Sequence, residues 1–262
     1  MIKEIEQGFR DTCRLVLGSE AGGLEELAQW LGMRVPLPYP AKSAVSGKEV
    51  WVVPPDIYLK KYFKKSRIVS HEEMEKINKT KFRKKDLEGA DLAVMLSKII
   101  SPVAYYIGNF RYGKWSNMEK VSGGGEGENA YYSDNAYFAV KNVAYSNYVL
   151  YSRHMFGCHN SPYCEFCIHT YNCTKVTNAF EADGCTNCHD IYFCHNCEGL
   201  SDCILCFNAK NLKYAVANIE VGKEEYERVK KMLLSDVVAG LKRKKAFPVD
   251  IYNLGCFQKS KR

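Results

Sequence analysis

Proline is scarce in this chain, 8 in 262 residues, and no run of 18 or more uncharged apolar residues occurs. With 46% apolar residues present, the first absence excludes collagen-like and wholly disordered chains, and the second excludes a membrane-spanning helix. The N-terminus, MIKEIEQGFR, is charged where a signal peptide needs an apolar stretch. Secretion is therefore not expected, and a cytoplasmic, reducing setting is. The glycine-rich stretch Ser122–Gly127 lacks the Gly-Lys-Ser/Thr ending of a phosphate-binding loop. No triad, paired-carboxylate motif or dinucleotide fingerprint is present either, so enzymatic activity has no visible carrier.

What is present is unevenly distributed. The net charge of +7 divides into +6 over residues 1–125, −4 over 126–216 and +5 over 217–262. Ten of the twelve cysteines lie between 158 and 206. The glycines of 122–130 read as a linker in front of this acidic, cysteine-rich segment. Ahead of it, residues 1–121 read as a mainly helical, basic region. Ile2, Ile5, Phe9 and Cys13 fall at helical spacing, as do Leu24, Leu27, Ala28 and Leu31. Residues 48–53 form a short strand candidate that stops at Pro54-Pro55, and Ser70 with Glu73 starts a helix over 71–78. A further helix over 87–100 ends at Pro102. Residues 217–262 read as a capping helix over 223–245, with Tyr226, Val229, Met232, Leu233 and Val237 on its buried stripe, and a basic tail.

The middle segment, 131–216, obeys a period of three. Every third residue from Tyr137 to Ala215 gives 27 positions, none of them charged and none Asn, Gln, His, Gly or Pro. All ten clustered cysteines share this phase, a coincidence expected by chance about once in twenty thousand. Strands alternate with period two, α-helices turn every 3.6 residues, and 3₁₀-helices rarely persist. The remaining geometry is a solenoid of short coils with every third side chain inside, its core thin because Cys, Ser, Ala, Thr and Val fill it. Coils of twelve residues, four inward positions each, would give about seven coils between 134 and 216. Eighteen residues in two halves is the alternative. The fold class is thus α+β: a tight right-handed β-helix or solenoid flanked by an N-terminal helical region and a C-terminal helix.

The inward triplet rule resembles the tight twelve-residue β-helix of a class of insect antifreeze proteins. Over Asn129 to Leu233 the chain looks more like a family of uncharacterised cysteine-rich triplet-repeat proteins, sometimes labelled CaiB/BaiF-like. That resemblance rests on the Cys-x-x-Cys run, the segment Phe207-Asn208-Ala209-Lys210-Asn211-Leu212-Lys213-Tyr214, and the following Lys223-Glu224-Glu225-Tyr226. It implies the solenoid and almost nothing of function. The zinc finger that often opens members of that family has no counterpart, since residues 1–125 hold only Cys13.

Three roles are open to the cysteines. They can be small neutral core fillers, or cross-links between residues six apart (Cys158/Cys164, Cys167/Cys173, Cys188/Cys194, Cys197/Cys203). They can also be ligands for zinc or an iron–sulfur cluster at Cys185, Cys188, Cys194, Cys197, Cys203 and Cys206. Five of six histidines lie outward in the repeat, and His189 with His195 is a surface metal or pH-sensitive candidate. His159 and His195 each follow a cysteine directly, and neighbours on a solenoid point apart, which disfavours a Cys–His nucleophile. Basic runs interleaved with aromatics suit a nucleic-acid backbone: Lys60, Lys61, Lys64, Lys65 and Arg67, then Lys81, Arg83, Lys84 and Lys85, then Lys242, Arg243, Lys244 and Lys245. Outward aromatics such as Tyr145, Tyr148, Tyr151, Tyr192, Phe193 and Phe207 form a wall for the chain's own helices or a second copy. The leading expectation is a non-enzymatic scaffold with RNA as partner. A metalloprotein and a self-associating structural module are the alternatives.

Overall fold

The computed structural model describes residues 2–53, 64–79, 82–162, 164–165, 167–168, 174–177, 179–183, 186–188 and 191–256. Parallel strand pairing links residues twelve apart: Cys164 with Val176, Thr174 with Thr186, Ile191 with Cys203, Ser201 with Lys213. The chain therefore closes a coil every twelve residues, and the eighteen-residue alternative is set aside. Each coil has four sides of three residues. Among the described residues from Val140 onward, one residue of each triplet faces inward, the next sits on the ladder, and the third turns the corner with positive φ, as Phe193 (φ 54), Asn196 (φ 51), Asp202 (φ 56) and Asn208 (φ 51) do.

A left-handed corner costs about 1–2 kcal/mol for a residue with a Cβ. The corner amides recover part of that by bonding the preceding coil, Phe193 N–H to Phe180 O at 3.1 Å and Asn208 N–H to His195 O at 3.0 Å. Sequence choice recovers more, because Asn, Asp and Gly recur in this phase and tolerate the conformation. Asn196 Nδ2 also donates to Asn208 Oδ1 one coil above at 2.8 Å. The interior is narrow and fully buried. Val143, Val149, Met155, Cys158, Cys194, Cys203 and Cys206 have no exposed surface at all.

Two boundaries differ from the sequence expectation. Ala136, not Tyr137, faces inward, since Ala136 pairs with the inward Val149 and Tyr137 with Leu150. One extra residue at the successive positive-φ positions Phe138 and Ala139 shifts the triplet frame by one. The inward series thus continues upstream in the new frame through Ala130 and Val121. Accordingly the glycine-rich segment is not a linker. Strand β6 (Gly123–Tyr131) lies parallel on β5 (Phe110–Glu119) as an early coil. A Cβ on Gly125 would stand 2.1 Å from Tyr112 O, so glycine is required by close approach of two backbones rather than by freedom of motion.

The N-terminal region is mixed rather than mainly helical. Helix α1 (Lys3–Leu17) is followed by one helical turn, Ala28–Leu31, on the spacing expected from Leu24 to Leu31, and then by a hairpin of β1 (Tyr39–Lys42) and β2 (Glu49–Val52). Strand β3 (Ile68–Ser70) pairs in parallel with β4 (Tyr106–Gly108). Helix α2 (His71–Ile77) starts at the Ser70–Glu73 capping box, as expected. The helix expected over 87–100 begins later, at the Asp91 cap, because Gly89 (φ 72) turns the chain first. It then runs as one α turn, Leu92–Val94, and a π segment, Met95–Ile100.

Helix α1 and the C-terminal α3 (Lys223–Lys244) cover one outer wall of the solenoid. That wall is a column twelve residues apart: Ala144, Phe156, Ile168, Phe180, Tyr192, Ile204 and Val216. Phe9 meets Phe156 edge-on at 5.1 Å, and Trp30 lies 6.0 Å from Phe180. The C-terminal mouth is closed by an antiparallel return, Ile219–Glu220, and by Asn218, whose side chain takes both the N–H and the C=O of Phe207 at 2.8 Å. Among the described residues no helix is long and apolar enough to cross a membrane.

Candidate functional site

The interior thiols of Cys194, Cys197 and Cys203 are placed to donate to backbone carbonyls. Cys197 Sγ reaches His195 O at 3.2 Å and Cys206 O at 3.3 Å, two residues back and nine ahead. Cys194 and Cys203 repeat the pattern at 3.4–3.6 Å. Ser146 Oγ makes the same pair of contacts, to Ala144 O and Met155 O. Cys and Ser are thus alternative fillings of one kind of slot: a small side chain whose proton satisfies a buried carbonyl. Cys197 and Cys203, a candidate cross-link, form no disulfide with each other. The other three candidate pairs include a cysteine whose side chain lies outside the described residues.

For the six proposed metal ligands, Cys185 and the side chain of Cys188 lie outside the described residues. Cys194 and Cys206 stack one coil apart, with Cys203 a side away. A thiolate at Cys206 would be held by hydrogen bonds from Cys194 and Cys203, which lowers the pKa for its proton. The hydrogen bond to Cys206, together with burial, pushes Cys203 far up, so the pair keeps a proton. Among the described residues no three His, Cys, Asp or Glu side chains are grouped to hold a metal ion. Of the histidine pair, His189 is outside the described residues, while His195 Nδ1 lies 2.9 Å from Asp183 Oδ2. Cys194 and His195 do point apart, one to interior carbonyls and the other to Asp183.

Lys60, Lys61 and Lys81 are outside the described residues, as is the side chain of Lys65. Lys64, Lys84 and Lys85 are exposed, and Arg83 lies 3.8 Å from Asp86. Arg67 is a structural tie, its guanidinium 4.6 Å over the Tyr105 ring and bonded to Ser101 Oγ at 3.0 Å. Lys242, Arg243 and Lys244 project from the last turn of α3, and Lys245 pairs with Glu26.

A denser combination of charge and aromatic surface lies on an uncovered edge of the solenoid, where neither helix packs. There Phe138 and Tyr151 stack one coil apart, 5.2 Å between centroids at 13°. Beside them Lys141 and Arg153 occupy bridged positions twelve apart. Tyr151 is 57% exposed and Arg153 is also exposed. A groove of about 450 Å³ runs along this edge past Lys114 and Trp115, with Glu126 and Glu128 on its border. Lys141 pairs with Glu128. The spacing of Lys141 and Arg153 is visible in the sequence, but it becomes a stack only once the coil length is known. Tyr145, Tyr192 and Phe193, on the aromatic wall expected to take the chain's own helices or a second copy, are buried within the chain itself. Tyr145 OH donates to Glu25 Oε2 at 2.9 Å, and Tyr192 OH to Val16 O at 3.2 Å.

Fold and surface together define a triplet β-solenoid with one helix-covered wall and one open aromatic–basic edge. No protein-family model matches the chain, and comparison with curated proteins finds no match.

Proposed function

We propose that the chain is a non-enzymatic binding scaffold whose uncovered solenoid edge takes single-stranded RNA. The observation that carries this reading is the Phe138–Tyr151 stack flanked by Lys141 and Arg153. Adjacent coils are about 4.8 Å apart, so side chains stacked along the axis form a fixed ladder of ring faces and cations. Base–aromatic stacking contributes about 1–3 kcal/mol per base irrespective of sequence, and each neutralised phosphate adds a salt-dependent increment. Lys84, Lys85 and Lys242 to Lys244 would add attraction at longer range without setting register.

Fluorescence anisotropy with a labelled single-stranded RNA tests this. Binding should weaken steeply as salt rises. Tyr151→Ala should weaken it about fivefold or more, and Arg153→Ala should also reduce the salt slope by about 1. Absence of binding at low salt, or affinity indifferent to both substitutions, would overturn the reading.

A further inference from the structure

At the N-terminal mouth of the solenoid an arginine stands where the interior takes small residues. Arg111 pairs with Gly124, which pairs in turn with the inward Ala136, so Arg111 occupies an inward position in the first coil. Its guanidinium donates from Nη1 to Phe110 O at 2.8 Å and from Nη2 to Val121 O at 3.0 Å. Among the described residues no carboxylate forms an ion pair with it. Burial pulls its pKa down, yet a guanidinium remains charged at neutral pH. A part-buried cation bonded only to carbonyls has no directly bonded counter-ion. Three of its five N–H donors are not used by those two bonds.

The mouth in front of it is a cavity of about 650 Å³, within the range of about 300–1,000 Å³ typical of small-molecule sites. Two of the chain's three tryptophans line it. Trp115 lies with its ring 5.4 Å from the Arg111 guanidinium and is 48% exposed, and Trp51 comes from β2. His71, at the start of α2, accepts the Arg111 backbone N–H at 3.4 Å and packs 4.6 Å from Phe110. At the rim Lys48 and Lys120 stand beside three carboxylates, Glu49, Glu72 and Glu119, of which Glu49 is engaged by Trp51 Nε1 at 3.1 Å. With Arg111 the lining holds three cations and three carboxylates, and Arg111 is the cation set at an inward coil position and held by carbonyls.

We propose that this mouth binds a nucleoside phosphate, with the phosphate on Arg111 and the base stacked on a tryptophan face. A free nucleotide and the phosphorylated end of a strand share this chemistry. The site adjoins the RNA edge at Trp115 but does not depend on it.

Calorimetric titration of the full chain with AMP tests the site, with adenosine and inorganic phosphate as separate arms and a 5′-phosphorylated against a 5′-hydroxyl RNA as the strand-end arm. AMP should bind saturably at one site, and adenosine and phosphate at least tenfold more weakly. Arg111→Gln should lower AMP affinity at least tenfold. Should that variant fail to fold, Trp115→Ala, on an exposed ring, should lower AMP affinity about fivefold with an unchanged melting temperature. Tyr151→Ala and Arg153→Ala should leave AMP binding untouched, which separates this site from the edge. A tenfold preference for the 5′-phosphorylated RNA that Arg111→Gln abolishes, with AMP bound more weakly than that RNA, would assign the site to strand ends. No AMP or 5′-phosphate binding at millimolar concentration, or affinities unaffected by Arg111→Gln and Trp115→Ala, would overturn the proposal.

Discussion

Glu181 turns a corner of the solenoid at φ 56 with only 2% of its surface exposed. Its Oε2 accepts the Ile251 N–H at 2.9 Å, and Asp250 beside it takes the ion pair with Arg34. Desolvation, reinforced by Asp250, pushes the Glu181 carboxyl up to about 8 from an ordinary 4.5. Between those values the folded chain holds a proton that the unfolded chain has released, so stability falls as pH rises from about 4.5 to about 8 and levels beyond. Glu181→Gln keeps an acceptor for Ile251 and removes the ionisation. The variant should gain on the order of a few kcal/mol over the parent at pH 8.5 and show a flatter profile from pH 5, read by urea unfolding at both pH values. Identical pH profiles for parent and variant would contradict the assignment. In the sequence Glu181 was only one more outward charge. Nothing local shows that the segment 248–253 crosses over it.

At the scale of elements, the helices complete what the solenoid lacks. A coil interior of Cys, Ala and Val buries little area per residue, and the larger apolar groups sit outside it in the Phe156–Phe180 column. Helix α1 covers that column with Ile5, Phe9, Cys13 and Val16, all fully buried. Gly8 permits the approach, since a Cβ there would stand 2.8 Å from His154 Nδ1. Phe9→Ala should cost about 3–5 kcal/mol in chemical denaturation, the usual range for a buried phenylalanine. A cost below about 1 kcal/mol would mean that α1 does not dock on the wall. The apolar stripe of α1 was legible, and so was the column once the period of twelve was known. Their meeting was not, because Ile5 and Phe156 are far apart in sequence and neither pattern names its partner.

At the scale of the whole molecule, the repeat makes a strong statement about length. Each coil contacts mainly its two neighbours, so removing a complete coil leaves the ladder and the inward phase intact. Deleting residues 195–206 joins Cys194 to Phe207 in phase and should give a shorter protein that still unfolds cooperatively. Deleting 195–205 instead turns Asn208, Asn211 and Tyr214 into the core, and that chain should fail to fold. Circular dichroism with thermal melting distinguishes the two, and equal behaviour of both deletions would refute the twelve-residue coil.

The sequence by itself determined the solenoid, its inward phase from Val140 onward and the helix over 223–244. Each of these follows from a local rule repeated many times: one buried side chain in three, or one apolar stripe on a helix. The tertiary structure decided where the repeat begins, because one inserted residue near Phe138 breaks the phase and glycines that resemble a linker serve as tightly packed strand. It also decided which surfaces remain open. Burial of the Phe156–Phe180 wall, exposure of the edge at Tyr151 and Arg153, and the placing of the Arg111 guanidinium against backbone carbonyls all depend on which distant segment lies against which coil, and no local pattern records that.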